Sequence, residues 1–200
     1  GQKIRIKGFS KKTHITLKTG DNFIINRDLN ENGSQKQVGV TYTDLYKNVN
    51  EGDELLLSDA LIKLRVNKVQ SKKIYTTVER GGKLKPHQGL NKKGGGLSLS
   101  GITAKDKSDL RNSLSYEYDY IAVSFVKDEK DILAIKNIIK NKDIRVIAKI
   151  ERNEALKNID KITKASDGLL VARGDLGVEI GIEQLPVSYT HLRAHETSPH

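Results

Sequence analysis

The chain has 200 residues, a formal net charge of +10 and no cysteine, methionine or tryptophan. The absence of cysteine excludes disulfides and thiolate metal sites, and no apolar run approaches the roughly 18 residues that a membrane-spanning helix requires. The 35 Lys and Arg residues are scattered, with only three Phe and seven Tyr among them, which favours a solvated surface over a nucleic-acid patch.

The sequence opens at Gly1 directly on strand-like residues and contains no initiator methionine and no signal-peptide pattern. We therefore expect a fragment of a longer protein. Two hundred residues are still enough for one large domain or two small ones with a real hydrophobic core.

The first half of the chain, to about Leu84, has the pattern of a small antiparallel β domain. Short runs rich in branched residues alternate with turn signals such as Asn32-Gly33 and Glu51-Gly52-Asp53. The predicted strands are Ile15–Leu17, Phe23–Ile25, Glu54–Leu57, Leu61–Val66 and Ile74–Val78.

Residues 85–101 differ from what precedes them, because they are poor in bulky apolar side chains. They contain Pro86, Gly89 and the run Gly94–Gly96. This composition predicts a linker or hinge.

After Gly101 strand patterns alternate with helical patterns. Strand–helix–strand order with short connections predicts parallel βαβ units. Three strands cannot close an eight-stranded barrel, so these units would be part of one. The predicted helices are Asp106–Leu114, Asp128–Asn141 and Asn153–Ala165, and the predicted strands are Tyr120–Phe125, Ile144–Ile150 and Gly168–Ala172.

Two of these strands end abruptly in charged residues. Arg145–Ile150 is too apolar for a strand with one wet face, so both of its faces should be covered. Lys149 and Glu151 are two residues apart and point to the same side of the strand. Asp175 follows the next strand, 26 residues after Lys149. A lysine and two carboxylates at this end of a parallel sheet suit a divalent cation beside a phosphorylated substrate.

The segments around these residues resemble a known family. Ile147–Glu151, followed by Ser166–Ile180, closely resembles the corresponding stretches of pyruvate kinase. An isolated Arg-Gly-Asp would carry no information, but the resemblance runs in order from the first residue to about Pro186. Other segments that carry it are Gly1–Ile6, Val38–Val40, Glu51–Leu57, Gly94–Ser98, Lys105-Asp106 and Ala122–Phe125.

The resemblance implies an α/β fold: a partial (β/α)8 TIM barrel with an inserted small antiparallel β-barrel lid domain. Residues 1–8 would be the end of barrel strand three, and residues 9–99 would be the lid. Residues 100–186 would be barrel units four to six of the catalytic domain.

The resemblance also implies an activity, the transfer of phosphate from phosphoenolpyruvate to ADP to give pyruvate and ATP in glycolysis. The implied cofactors are Mg²⁺ (or Mn²⁺) and K⁺. The ligands of K⁺ would lie outside this chain. The implied parent enzyme is a cytoplasmic homotetramer with neither nucleic acid nor a membrane as a partner. Because much of the charge-neutralising shell would be missing, we expect these 200 residues alone to be inactive.

Individual residues match positions of the family's motifs. Lys149 matches the catalytic lysine that contacts the transferring phosphoryl group, and Glu151 and Asp175 match the two metal ligands. Gly174 and Asp175 would present backbone amides to the substrate carboxylate. Arg5 matches an arginine that contacts nucleotide phosphates. Ser124 lies beside the predicted site, where it could assist through hydrogen bonds or only shape the pocket.

Three positions depart from the family's pattern, and all concern the lid or the nucleotide. Gln88 stands where relatives have a lysine that reaches the nucleotide, although Lys92 or Lys93 could substitute for it. The lid's usual Asp-Asp-Gly is replaced by Ser58–Ala60, and Gln2 stands where proline is usual. These changes bear on nucleotide affinity rather than on Lys149, Glu151 and Asp175.

The last segment, residues 187–200, leaves the family's pattern. It is similar to the translation of a transposase-type sequencing adapter, so we expect a non-native tail without function. Its histidines His191 and His195 have the spacing of a metal pair, but a zinc site is the less favoured interpretation.

Three other interpretations remain open at this stage. The chain could belong to another metal-dependent, enolate-handling TIM-barrel enzyme such as an aldolase or lyase, although such enzymes need no large β insert. It could be a basic β-domain binder of nucleic acid, for which charge is the only support. It could also derive from a degraded gene copy, marked by the changes at Ser58, Gln88 and Gln2.

Overall fold

The computed structural model describes residues 3–97, 101–140 and 143–186. The chain divides near residue 98 into two compact units, a β unit (residues 3–97) and an α/β unit (residues 101–186). The predicted α/β class is therefore confirmed. Within the described ranges, no helix combines the length and the apolar character needed to cross a membrane. The predicted tail, residues 187–200, lies outside the described residues, as does Gln2.

The β unit consists of short strands joined by turns, and the five predicted strands are all present. The strands are β1 (Ile15–Leu17), β2 (Asn22–Asn26), β3 (Gln37–Val38), β4 (Glu54–Leu57), β5 (Ile62–Gln70), β6 (Lys73–Arg80), β7 (Gly82–Leu84) and β8 (Leu90–Lys92). β1 pairs with β7, and the remaining strands form a sheet in the order β3-β2-β6-β5-β4-β8. Alternate residues of β5, including Ile62, Leu64 and Val66, are buried in the core of this unit.

The prediction of a purely antiparallel domain is wrong at one pair of strands. β2 and β3 run parallel, with Ile24 opposite Gln37 and Ile25 opposite Val38. A parallel pair needs a crossover of about a dozen residues rather than a hairpin, and residues 27–36 supply a connection of nearly this length. All other pairs of these strands are antiparallel, and one isolated bridge, between Phe9 and Gly33, is also parallel.

The prediction of a linker over residues 85–101 is wrong for its central part. Residues Leu90–Lys92 form β8, which pairs antiparallel with β4 and places Leu90 opposite Leu57. Leu90 is only 2% exposed. The low apolar content did not prevent a strand here, because β8 satisfies the backbone groups along the edge of β4.

The α/β unit alternates strands and helices, as the sequence predicts. The elements are α1 (Ala104–Ser113), β9 (Tyr120–Val123), α2 (Glu129–Ile139), β10 (Arg145–Ile150), α3 (Asn153–Lys157), α4 (Ile159–Ala165), β11 (Gly168–Val171), α5 (Arg173–Ile180) and a 3-10 helix (Ile182–Gln184). β10 lies between β9 and β11 and is parallel to both. This confirms the predicted parallel βαβ arrangement.

Local side-chain chemistry sets two helix boundaries that hydrophobic periodicity did not predict. α1 begins at Ala104 because Thr103 Oγ1 accepts the Asp106 amide at 3.0 Å while the Asp106 carboxylate accepts the Thr103 amide at 2.9 Å, a capping box. The predicted helix over Asn153–Ala165 is broken at Asn158, whose side-chain amide donates to the Glu154 and Lys127 carbonyls. Asn158 therefore competes with the helical backbone.

The two faces of the parallel sheet differ in burial. On one face Val146, Ala148 and Ile150 of β10 are fully buried against a core that includes Ile132 and other residues of the surrounding helices. On the opposite face Ile147 is half-buried and Leu170 of β11 is 43% exposed. The prediction that both faces are covered is thus correct for the helix-covered face only, since the described helices of this unit pack on that side.

Candidate active site at the carboxyl edge of the parallel sheet

Lys149 and Glu151 form an ion pair at the carboxyl end of β10. Lys149 Nζ lies 2.8 Å from Glu151 Oε1, and the exposed fractions of the two side chains are 25% and 2%. The two-residue strand period places both groups on the sheet face that the helices leave uncovered. A buried carboxylate is costly unless it is paired, and here the half-buried ammonium provides the partner.

The second oxygen of Glu151 is held by the neighbouring strand end. The Phe125 backbone amide donates to Glu151 Oε2 at 2.6 Å. Phe125 adopts φ +55°, the left-handed region that a bulky side chain rarely occupies. The turn after β9 is thus strained in a way that aims an amide at this carboxylate, as is common at functional sites.

Ser124 also faces the lysine. Lys149 Nζ donates a hydrogen bond to Ser124 Oγ at 3.0 Å. The ammonium is therefore held between a hydroxyl from the β9 end and a carboxylate from the β10 end. This contact supports the hydrogen-bonding role considered for Ser124.

Asp175 follows the adjacent strand at the same edge. β11 places Val171 opposite Ile150, and the Ala172 amide donates to the Ile150 carbonyl at 3.1 Å. α5 then begins at Arg173, and the half-buried Asp175 stands in its first turn. A negative side chain is favoured there by the helix dipole.

This edge suits a hard divalent cation with few protein ligands. Among the described residues, no group of three or more His, Cys, Asp or Glu side chains could hold a metal ion. Magnesium, however, is usually bound through one or two carboxylates with water and substrate oxygens completing the octahedron. The two carboxylates predicted as metal ligands both belong to this edge, Glu151 directly after β10 and Asp175 in the first turn of α5.

Gly174 lies at the start of α5 and is exposed. A Cβ built at this position would meet no atom within 4 Å, so the packing of this chain does not require glycine. The predicted close approach of substrate to the backbone therefore stays a prediction.

Two buried charged residues beside this edge were missed by the sequence analysis. Arg152 is 4% exposed and contacts Glu154 at 3.2 Å. Glu179 is 7% exposed, and its Oε2 accepts the Asn153 amide at 2.9 Å. The sequence feature that could have indicated the burial of Glu179 is its position between Val178 and Ile180, inside an apolar stretch of α5.

The predicted nucleotide contact, Arg5, lies in the β unit. Its backbone amide donates to Thr41 Oγ1 at 3.0 Å, its guanidinium donates to the His87 carbonyl at 2.9 Å, and it forms an isolated antiparallel bridge with Gly89. The side chain is exposed and anchored through one of its nitrogens. The remaining N–H groups leave capacity for a phosphate.

Gln88 stands at the position of the family's nucleotide-contacting lysine, and Lys92 and Lys93 are its possible substitutes. All three side chains have partners within the β unit. Gln88 Oε1 accepts hydrogen bonds from Ser58 Oγ at 2.6 Å and from the Lys85 amide at 2.8 Å. Lys92 Nζ lies 2.7 Å from Asp53, and Lys93 Nζ lies 3.4 Å from Glu54. Each predicted substitute therefore already has a carboxylate partner within the β unit.

Nearly the whole chain is similar to proteins of one family. A family model described as pyruvate kinase, barrel domain, matches residues 1–195. The pyruvate kinase of Buchnera aphidicola subsp. Baizongia pistaciae is 45% identical over 92% of this chain, and pyruvate kinase II of Salmonella typhimurium is 40% identical over the same share. The pyruvate kinase of Thermococcus litoralis is 38% identical over 96% of the chain.

The chain spans about 40% of the length of each of these relatives. The match favours neither an aldolase-type enzyme nor a nucleic-acid-binding β domain. Because the family model covers nearly the whole chain and several relatives exceed 37% identity, this chain belongs to the pyruvate kinase family.

Proposed function

We propose that the protein to which this chain belongs transfers phosphate from phosphoenolpyruvate to ADP, giving pyruvate and ATP. The observation that carries the proposal is the contact of 2.8 Å between Lys149 Nζ and Glu151 Oε1 at the carboxyl edge of the parallel sheet. Family membership and the names of the relatives support it, although the chain alone represents about 40% of their length.

Lys149 would stabilise the charge that develops on the transferring phosphoryl group. Phosphoryl transfer requires positioning and charge neutralisation rather than covalent help from the protein. Ser124 and Glu151 hold the ammonium on two sides, so little reorganisation is needed during the reaction. Such a fixed counter-charge is worth several kcal/mol in a closed site, or roughly a hundredfold or more in rate.

Glu151 and Asp175 would hold the divalent cation, Mg²⁺ or Mn²⁺, which would neutralise negative charge on the substrate. Glu151 is prepared for this because the Phe125 amide fixes its orientation. The amides of Gly174 and Asp175, at the start of α5, would bind the substrate carboxylate, since a helix N-terminus favours anions.

We further propose that the α/β unit is part of a (β/α)8 barrel, residues 100–186, into which the β unit is inserted as a lid over residues 9–99. Residues 1–8 would be the end of the preceding barrel strand. The partly exposed sheet face with Ile147 and Leu170 supports this proposal, because the interior of a complete barrel would cover it.

The charge distribution supports a role of the β unit in attracting anionic substrates. Residues 3–97 contain 19 Lys and Arg against 9 Asp and Glu, whereas residues 101–200 contain 16 of each. The net charge of +10 therefore resides in the β unit. A basic lid would raise the local concentration of ADP and phosphoenolpyruvate, and Arg5 would contact nucleotide phosphates.

The family implies further features of the complete protein. These are K⁺ as a second cation, a homotetrameric assembly, and a cytoplasmic place in glycolysis without nucleic-acid or membrane partners. Residues 1–200 alone should not form pyruvate.

The test is a chimera in which residues 1–186 replace the matching segment of the Buchnera aphidicola relative, which is 45% identical. We expect pyruvate formation by the chimera and a loss of at least about a hundredfold when Lys149 is changed to Ala. Lys164→Ala, in α4, is the matched control and should leave the rate unchanged. A folded chimera without activity, or one whose activity survives Lys149→Ala, would contradict the proposal.

A further inference from the structure

Glu179 occupies an unusual position for a carboxylate. It lies one helical turn after Asp175 on α5 and is only 7% exposed. Its Oε2 accepts the Asn153 amide at 2.9 Å. A buried apolar side chain would pack here without the cost of desolvating a charge, so packing alone does not explain a glutamate.

The amide that Glu179 binds belongs to the chain segment leaving the candidate active site. Asn153 is the first residue of α3 and follows Glu151 by two positions. Its N–H is one of the helix N-terminal donors that have no partner within the helix. The Glu179 carboxylate satisfies this donor and complements the positive end of the helix.

The segment from Glu151 to Asn153 is thereby held at successive residues. Phe125 N binds Glu151 at 2.6 Å, Arg152 contacts Glu154 at 3.2 Å, and Glu179 binds Asn153. The last of these contacts joins the segment to α5, the helix that carries Asp175. α3 and α5 also pack against each other.

We propose that Glu179 is a positioning residue that fixes the separation of the two metal-binding carboxylates, Glu151 after β10 and Asp175 on α5. The inference rests on the proposed function, because it assigns those two carboxylates to one divalent cation. Glu179 itself does not contact the metal. It acts through the Asn153 amide, and loss of that hydrogen bond would loosen the connection between α5 and the Glu151 segment.

The experiment measures Mn²⁺ binding to the 200-residue chain by the decrease of the free Mn²⁺ paramagnetic resonance signal. Circular dichroism verifies folding of each variant. Glu179→Ala should weaken Mn²⁺ binding by about tenfold, the lower end of the effect of outer-shell partners on metal affinity. Glu179→Gln keeps an oxygen that can accept the Asn153 amide and should stay within about threefold of the parent chain.

A second variant removes the same hydrogen bond from the other side. Asn153→Pro deletes the N–H, and proline is well tolerated at the first position of a helix. The preceding Arg152 already has the extended conformation, φ −130° and ψ 150°, that proline requires of its neighbour. We expect a loss similar to that of Glu179→Ala and no additional loss in the double variant.

Glu183→Ala is the charge-matched control, since Glu183 is exposed and lies four residues after Glu179, whereas the acceptor of the Asn153 amide is Glu179. It should leave the affinity unchanged. If Glu179→Gln loses as much Mn²⁺ affinity as Glu179→Ala, the charge of Glu179 rather than its hydrogen bond to Asn153 is responsible, and the inference is wrong. It is equally wrong if Glu179→Ala and Asn153→Pro bind Mn²⁺ like the parent chain.

Two further variants separate this inference from the proposed function. Glu151→Gln and Asp175→Asn should each abolish specific Mn²⁺ binding. If they do so while Glu179→Ala has no effect, only the positioning role fails. If neither Glu151→Gln nor Asp175→Asn changes Mn²⁺ binding, the proposed metal site is wrong and the positioning role is wrong with it.

Discussion

Ser58 and Gln88 are 30 residues apart in the sequence, and their side chains are joined by a hydrogen bond of 2.6 Å from Ser58 Oγ to Gln88 Oε1. In the sequence these residues are two separate departures from the family's pattern. In the structure they form one contact, which the Lys85 amide extends by donating to the same Gln88 oxygen at 2.8 Å. Gln88 therefore stabilises its own turn and the neighbouring turn at Ser58.

This pairing predicts coupled effects of substitution. Gln88→Lys removes the acceptor and leaves the 5% exposed Ser58 hydroxyl unsatisfied, which should lower the free energy of unfolding by about 1–2 kcal/mol. Adding Ser58→Asp provides a carboxylate for the new lysine and should recover part of the loss. Urea unfolding of the single and double variants measures the coupling, and strictly additive changes would show that the two positions are independent.

The turn that follows Ser58 predicts a stabilising substitution. Ser58, Asp59 and Ala60 have φ values of 55°, 53° and 67°, three consecutive left-handed residues without a glycine. The left-handed conformation costs a residue with a Cβ roughly 1–2 kcal/mol. Ala60→Gly should therefore raise the free energy of unfolding by about 0.5–1 kcal/mol, after allowance for the greater entropy of glycine in the unfolded chain.

The same substitution inside a helix provides the comparison for Ala60. Ala134→Gly, in the interior of α2, should lower the free energy of unfolding by about 1 kcal/mol. Thermal unfolding of both variants checks the opposite signs. A destabilised Ala60→Gly variant would show that the turn is not strained.

Asp167 predicts a pH-dependent contribution to the stability of the α/β unit. Burial raises the pKa of Asp167. The Lys136 ammonium at 2.8 Å and the Val146 amide at 2.7 Å together lower it by more, so the pKa lies below the ordinary value. The charged form is thus favoured by folding. Its contribution is present above the ordinary pKa of aspartate, near 4, and is lost as pH falls through the lower folded-state pKa.

Asp167→Asn should therefore destabilise the α/β unit at pH 7 by about 1 kcal/mol, a modest value because the side chain is one-third exposed. The deficit should shrink steadily below pH 4. Hydrogen exchange of the β10 amides at pH 7 and pH 3 measures it. Asp143→Asn, at an exposed aspartate, should show no such deficit, and an effect of Asp167→Asn that does not vary with pH would contradict the assignment.

Gly174 predicts a separation of folding from substrate binding. Because a Cβ there would meet open space, Gly174→Ala should not lower the free energy of unfolding and could raise it by up to about 1 kcal/mol through helix propensity. In the chimera, the same change should raise KM for phosphoenolpyruvate if the substrate carboxylate approaches these amides closely. An unchanged KM would remove Gly174 from the substrate site.

Much of this protein followed from local sequence patterns. The period of two along Arg145–Ile150 placed Lys149 and Glu151 on one side of the strand. The structure confirms this placement and adds an ion pair between the two side chains. The alternation of apolar strands and helices predicted β9, β10 and β11 with parallel pairing, which is also confirmed. Such features depend on residues close in sequence, and the backbone geometry of a helix or strand translates them directly into positions.

Other features were decided only by tertiary structure. Four such features join groups that lie far apart in the sequence, by 26 residues for the last two. They are the break at Asn158, the β8 strand, the bond from the Phe125 amide to Glu151, and the contact of Glu179 with Asn153. A buried polar group needs a partner, but its sequence neighbours do not specify which distant donor or acceptor will meet it. That partner is selected only when the strands and helices pack, because packing determines which polar groups lose water together.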